Sequence, residues 1–550
     1  DAVQEFQVIT DSYSAEFGRV LGGIVNIVTR GGTNEFRGES FFLNRNDSFA
    51  ARDVFARKKQ ALNQYQFGAL FSGPIKKDKT FLFTSFERLT AEQSNIVTLS
   101  QDAIRVTQNE GFNLRNGIVT YAVGTTSVLA RVDSQLSPNS TLWVRYNGGF
   151  NYDGSFQDFR GLIAETAGGI QRLSDNTIAA SNTYISTKFN LVNEARLLFS
   201  RRDQDILPID ENGPQIQLDA VEGGILFGRN VLLPQLREEN VYQFVDNVSL
   251  PRNRHQIKFG VDIFYSNLGK FSLPSLKAGA AIFNMFDINM ALGISVPGRV
   301  LMPFDAFSPA ERSFNQRQDL KLLRIVLERR FPDFPRGLPI QNLAIPIGFT
   351  QSFGNAESAS DYKFFSTYFQ DDIRVRPNLI IKAGLRYDFN IVRFSPRSKL
   401  SFSPRLAIAY QPTKLPKANI RAAYGIFVGA PLAGVILTAE LSGRLTNLTF
   451  PFPFSILAFN QPGRRFAIGN EIPKEFRRLA IPQLSQNFAI DNNLRDSYAQ
   501  QATLAIDYTF NPVTKLSLSY NFVRGIKLFG SRDINPIVRP ILGDPIQSAI

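Results

Sequence analysis

The chain has 550 residues, with 61 Lys and Arg against 48 Asp and Glu, one His, no Cys and a formal net charge of +13. The lack of Cys excludes disulfide frameworks, thiol nucleophiles and Cys-ligated zinc or iron–sulfur sites, and a single His argues against His-based metal sites and His-driven hydrolysis. Hydrophobic residues at 43% and charged residues at 20% belong to a chain that folds, while the basic balance suits lipid phosphate, nucleic acid or acidic ligand without choosing among them.

That length accommodates several soluble domains or one large β-barrel. No apolar run reaches the roughly 18–20 residues a membrane helix needs; residues 80–86 and 343–349 are among the longest apolar-rich stretches. The start at Asp1 shows neither a signal peptide nor an initiator Met, and residues 543–550 read as the middle of a loop. A fragment cut at both ends is expected. Phe is the outlier, at 49 beside 16 Tyr and 1 Trp.

Residues 1–38 carry two short β runs, Phe6–Ile9 and Ile24–Thr29, with paired glycines at 22–23 and 31–32, and hand over to a first long strand at Phe36. The glycine pairs lack the Lys-Ser/Thr and the following helix of a phosphate loop. Beyond them the main signal is alternation of apolar and polar residues over segments of about ten to fourteen residues. In residues 379–391, Leu379, Ile381, Ala383, Leu385, Tyr387, Phe389 and Ile391 share one parity, against Ile380, Lys382, Gly384, Arg386, Asp388 and Asn390. As a strand this segment has one greasy face and one mostly polar face.

The pattern predicts about fifteen strands, near 36–46, 64–74, 80–91, 126–136, 140–152, 174–187, 191–203, 239–250, 254–267, 362–375, 378–391, 401–411, 416–428, 498–510 and 513–525. Tight turns rich in Pro and Asn join several of them, at 137–139, 190–193, 251–253, 377–378 and 511–513. Long irregular stretches near 92–125, 153–173, 204–238, 268–361 and 429–497 separate the hairpins. Short and long connections therefore alternate, as in a transmembrane barrel with tight turns on one rim and long loops on the other. A propeller would show four-strand blocks at a steady period, and strands this long and regular are rarer in a soluble sandwich. Single-chain bacterial barrels have even strand counts, so further strands are expected after Ile550.

The remaining constellations carry little chemistry. Asp371 and Asp372 are strand neighbours and point to opposite faces, one to the lumen and one at the rim, so they form no metal or proton dyad. His255 opens a strand at the parity of the greasy stripe and reads as a rim residue. Residues 151–154 are too short for a calcium loop. Ser308-Pro309-Ala310-Glu311 fits a capping box leading into a basic amphipathic helix that runs to about Arg330, with Leu320, Leu323, Ile325, Val326 and Leu327. Such a helix could lie on lipopolysaccharide or ligand, but capping the barrel mouth against its own loops is the favoured reading. No helix-turn-helix, zinc or stacking signature supports nucleic-acid binding. The Phe excess fits lipid-facing positions and interfacial girdles, with Tyr387, Tyr410, Tyr508 and Tyr520 near strand ends.

Ser14-Ala15-Glu16-Phe17-Gly18 and the block Gly22-Gly23-Ile24-Val25-Asn26-Ile27-Val28-Thr29-Arg30 resemble the last part of the plug domain of TonB-dependent outer-membrane receptors. Thr33–Gly38, Arg45–Asp47, Phe71–Ile75, Phe83–Glu87, Tyr368–Asp372, Leu385–Asp388, Ser403–Leu406 and Tyr424–Phe427 are similar in wording to the Oar-like subgroup, whose full-length members carry a carboxypeptidase-regulatory-like domain before the plug. The likeness is strung in order across residues 1–525. Two departures are Gly31-Gly32 in place of Ser-Gly and Arg37 where His is common, the latter removing one ring from the plug–barrel junction.

The resemblance implies an all-β, transmembrane antiparallel β-barrel of about 22 strands in the parent, about 15 of them here, with the C-terminal part of a plug: residues 1–35 plug, residues 36–550 barrel, truncated at the C-terminus. It implies transport of a bulky ligand such as an oligosaccharide or peptide, by import or export, energised by the TonB–ExbB–ExbD complex through a missing N-terminal segment. The implied partners are outer-membrane lipid and lipopolysaccharide, that complex and an extracellular ligand, with no nucleic acid. No enzymatic activity, catalytic residue, cofactor or metal is expected. The rival readings are a passive pore or adhesin without energy coupling, and a barrel-embedded hydrolase, for which one rim His is poor material. Glu16, Arg19 and Arg30 are the candidate plug–barrel contacts, because charges beside apolar plug strands are expected to pair when buried; the plainer reading is solvated charge.

Overall fold

A strand in lipid finds no water for its amides, so each must be paired by a neighbour and its outward side chains must be apolar. The computed structural model describes residues 2–9, 14–52, 59, 62–211, 213–220, 223–272, 276–293, 299–392, 401–430, 433–460, 472, 474–482, 488–491 and 493–532. Residues 543–550, read as loop, lie outside the described residues. Two short strands come first and pair antiparallel, β1 (Val3–Ile9) and β2 (Ile24–Thr29).

Fifteen long strands then form one antiparallel sheet. They are β3 (Arg37–Asn46), β4 (Asn63–Lys76), β5 (Thr80–Val97), β6 (Gly117–Ser137), β7 (Ser140–Gln157), β8 (Gly169–Ser186), β9 (Leu191–Pro208), β10 (Gln235–Arg252), β11 (His255–Ser272), β12 (Glu357–Arg376), β13 (Leu379–Val392), β14 (Ser401–Tyr410), β15 (Ala418–Val428), β16 (Tyr498–Thr509) and β17 (Lys515–Ile526). Each pairs with its neighbour in this sequence, leaving β3 and β17 as the two edges among the described residues. All fifteen coincide with strands read from the alternation.

The sheet is inside-out relative to a soluble protein. Leu385 is 47% exposed while the next residue, Arg386, is 1% exposed, and Phe369 at 53% precedes Gln370 at 6%. The greasy parity faces outward and the polar parity lines an interior. At one rim the turns are short, with Asp78, Asn190 and Asn253 in the left-handed conformation that Asn and Asp tolerate. The β8–β9 turn falls at residues 187–190, earlier than the 190–193 expected, because Ser186 already pairs with Leu191. Leu191 and Val192 belong to the alternation of β9.

At the other rim the strands overrun their expected ends. β5 continues to Val97 rather than 91, and β6 begins at Gly117 rather than 126. Beyond the lipid nothing requires one face to be apolar, so the ladder continues after the alternation stops.

Among the described residues, the long stretches between hairpins are not irregular. They assemble into a cap with a six-stranded sheet, in the order 223–228, 215–220, 280–283, 348–354, 445–451 and 481–482. Its core holds Phe112, Phe227, Phe283, Phe307, Phe349 and Phe459, contributed by successive loops. Edge-to-face contacts of 4.8 Å for Phe112–Phe227, 5.6 Å for Phe227–Phe307 and 5.2 Å for Phe283–Phe307 knit these loops together. Much of the Phe excess therefore resides in this core, beside the expected lipid-facing Phe365, Phe369 and Phe402.

The basic helix spans Phe314–Arg330, and its capping box is Ser313 with Gln316 rather than Ser308 with Glu311. Ser308 caps only the short turn Pro309–Glu311, and Glu311 instead accepts two hydrogen bonds from Arg105, at 2.7 and 2.9 Å. Both serines fit the motif, and the second also places Leu320, Leu323 and Leu327 in the cap core. The helix thus rests on its own loops. Arg312, between the two caps, is 4% exposed and donates to the carbonyls of Asp305, Ala306, Ile340 and Gln341 at 2.7–3.3 Å. Burial, with the charge of Arg317 nearby, lowers its pKa to about 10, still leaving it charged at neutral pH.

Two outcomes follow from this division. Leu385→Arg should cost about 2–4 kcal/mol in a folding titration into lipid vesicles, because Leu385 faces lipid in mid-strand. Phe307→Ala should cost the cap about 3–5 kcal/mol and make residues 280–350 protease-sensitive while the membrane sheet resists cleavage; equal sensitivity of both parts would contradict a separately packed cap.

Candidate functional site

The polar face of the sheet is a wall of charged and amide side chains, and residues 14–21 and 29–33 lie against it. Ala15 is fully buried there, and its N–H donates to Gln370 Oε1 of β12 at 2.8 Å, as does the Ser14 hydroxyl. Arg386 of β13 reaches from below, donating to the carbonyls of Ala15 at 3.3 Å and Glu16 at 3.0 Å. Its Nε also bonds Asp388 at 2.8 Å, and Asp388 accepts the Ser366 hydroxyl at 2.7 Å. Arg405 of β14 donates to the Ser14 carbonyl. A Cβ at Gly18 would collide with the Arg386 guanidinium, so only glycine lets the backbone lie on that group.

Arg19 completes the network. It pairs with Asp262 of β11 at 2.9 Å, and its guanidinium lies 4.7 Å from the ring of Phe264 and 5.5 Å from that of Phe364. Asp262 also accepts from Gln243 at 2.8 Å and lies 3.7 Å from Arg386. Glu16 meets Lys258 of β11 at 3.6 Å. Arg30 differs: it is exposed, and no side-chain hydrogen bond or ion pair is found for it among the described residues.

A second anchor holds β2 on the opposite part of the sheet. Arg131 of β6 donates to the Thr29 carbonyl at 2.9 Å and pairs with Asp133 at 2.6 Å, while Arg145 of β7 donates to the Thr29 hydroxyl at 3.2 Å. Both guanidiniums lie over Trp143, at 5.4 and 5.5 Å. A cavity of about 480 Å³ opens beside the first anchor, between Ser14 and the small residues Gly384, Ala407, Ala423 and Gly425.

Glu16 and Arg19 stand out in the sequence as charges beside plug-like strands; their hosts do not. Arg386 and Asp388 sit at polar parity between apolar neighbours, which marks them as interior, whereas Gln370 lies between Phe369 and Asp371; nothing local says which interior residues touch the inner segment. Asp371 and Asp372 split as expected: Asp371 bonds His255 Nδ1 at 2.6 Å near the short-turn rim, and Asp372 faces inward to Lys382 at 2.6 Å and Gln370 at 2.8 Å. The carboxylates here are held by cations or amides, an arrangement that docks a segment and orients it.

This inside-out antiparallel sheet with a polar-docked inner segment defines an outer-membrane β-barrel, and the family comparison agrees: a model described as an outer membrane beta barrel domain matches residues 28–123, 106–396 and 392–549. The chain belongs to that family and resides in the bacterial outer membrane. A 123-residue stretch is 37% identical to the TonB-dependent transporter Oar of Myxococcus xanthus, covering 21% of this chain and 11% of that protein. Among solved structures, the outer membrane transporter YddB from Escherichia coli superposes with a TM-score of 0.56 at 10% identity, over 93% of this chain and 54% of that one. The siderophore receptor PirA from Acinetobacter baumannii gives 0.53 at 12% identity, over 94% and 57%. These two likenesses are of fold, and the chain spans little more than half the length of either structure. None of the three relatives is named as an enzyme.

Arg131→Ala removes the donor to the Thr29 carbonyl and should loosen β2 by about 1–3 kcal/mol. Amide exchange at residues 24–29 is the readout, and unchanged protection there would show that this anchor does not hold the strand.

Proposed function

We propose that this chain is the wall and the last part of the plug of a TonB-dependent outer-membrane transporter, with residues 1–35 as plug and residues 36–550 as barrel. The observation that carries the reading is the docking of residues 14–19 on the interior wall by Arg386 and Asp262 rather than by an apolar core. Charge-assisted hydrogen bonds fix geometry strongly, yet water can replace them as the segment leaves, whereas an apolar interface would expose greasy surface to a wet lumen. Glu16 and Arg19 are then plug–barrel contacts made to be broken under force, and Arg30 stands outside that set. The identity to the Oar transporter supports the same reading.

On this proposal a bulky ligand crosses when the inner-membrane TonB–ExbB–ExbD complex pulls on a segment N-terminal to these residues. Outer-membrane lipid and lipopolysaccharide surround the wall, and the cap, built from the long loops, meets the ligand. The second reading is a passive pore or adhesin without energy coupling, in which the inner segment does not close the barrel.

Conductance of the full-length parent in liposomes decides between them when compared with a version lacking the plug. Low conductance intact and a large pore after deletion is the expected result. Large conductance in both would mean that the inner segment does not close the barrel, and no conductance in either would remove the pore altogether.

A further inference from the structure

The connection between β15 and β16 does not stay with the cap. Gly429, at its start, forms a parallel bridge with Arg19, and its N–H donates to the Ser497 carbonyl at 2.9 Å, so the two ends of the connection meet each other beside the inner segment. A Cβ on Gly429 would lie 2.9 Å from Leu21 Cγ, so the Leu21 side chain is seated directly on this glycine. Gln501 of β16 donates to the Leu21 carbonyl at 2.7 Å from the same place.

A short way along, the helix Ala433–Ser442 places Leu437 and Leu441, 1% and 0% exposed, against Leu268 and Phe271 of β11. Leu268 has the interior parity of Asp262 and Phe264, which puts this helix inside the mouth of the barrel. The chain then enters the cap as the strand Leu445–Pro451, paired along its length with Gly348–Gly354, and Phe450 joins the cap core. The described parts of this connection thus lie on the inner segment at Gly429, against β11 at 433–442 and in the cap sheet at 445–451, one strand in from its edge.

We propose that residues 429–430 and 433–451 couple the inner segment to the cap as a tether, so that withdrawal of residues 14–30 loosens the cap and cap displacement loosens residues 14–30. The inference rests on the reading above that residues 14–30 are the moving part. It deepens that reading by adding a coupling: the cap and the inner segment answer to each other. The cap must respond as one body, because its core is shared among loops and no single loop can leave without exposing Phe side chains of the others.

Coupling between two sites is reciprocal, and that gives two independent variants. Hydrogen exchange is measured on the full-length protein in lipid, with β4 to β8 as the internal control for an intact wall. Arg386→Ala removes the donors to the Ala15 and Glu16 carbonyls, along with the wall contact to Asp388, and among the described residues breaks no hydrogen bond or ion pair of 433–451; it should raise exchange in residues 14–30 and also, roughly tenfold or more, in 433–451. The double variant Leu437→Ala/Leu441→Ala touches only the helix seat and should raise exchange in 445–451 and in 19–21. Faster exchange confined to the altered side in both variants would overturn the tether and leave the docking reading standing. No change in residues 14–30 with Arg386→Ala would overturn the docking reading and the tether with it.

Discussion

Everything in this molecule depends on where its polar side chains are allowed to be. The lipid takes the apolar parity of each strand, so the other parity accumulates in the interior, and Arg386, Asp388 and Asp262 are polar groups with one another as neighbours. A soluble domain hides its apolar residues and leaves its charges to water. Here the interior is where charge collects, and any segment placed inside must be recognised by charge. The inner segment meets that condition with backbone carbonyls at Ser14, Ala15, Glu16 and Thr29, each taken by a guanidinium. Carbonyls are available from any sequence, so what selects this segment is close approach: Gly18 and Ala15 are small enough to let the guanidinium in.

Such an interface is specific without being greasy. Removing one member of a buried pair leaves its partner uncompensated, which is costly, but moving the whole segment away returns both sides to a hydrated lumen. The two anchors lie on different parts of the sheet, one on β11 to β14 and one on β6 and β7, so the inner segment is held at both ends and cannot swing on either alone.

The membrane sheet was legible because lipid writes a strict period into the sequence. Leu379 to Ile391 announces a strand, its two faces and its approximate length. The cap was not legible because no such period exists outside the lipid: its strands are short, one pairs parallel, and partners such as Gly348–Gly354 and Leu445–Pro451 come from different loops. Ser308 and Ser313 both look like helix caps, and only the packing of Leu320, Leu323 and Leu327 decides between them. Of the candidate site, Glu16 and Arg19 were visible as charges beside plug-like strands. Their hosts were not, because Asp262 lies 243 positions from Arg19 and no local pattern spans that distance.

The cap's composition from separate loops also bears on the order of assembly. Its parallel pair joins residues 215–218 to 280–283, and its next strands lie at 348–354 and 445–451. Closing such long loops in a free chain costs entropy before any contact compensates for it. Once β9 to β16 stand side by side, the bases of those loops are already gathered at one rim, and most of that cost has been met by the membrane sheet. Assembly of the cap on a completed wall is therefore entropically favoured over its assembly alone, and contacts of high sequence separation become, in effect, local.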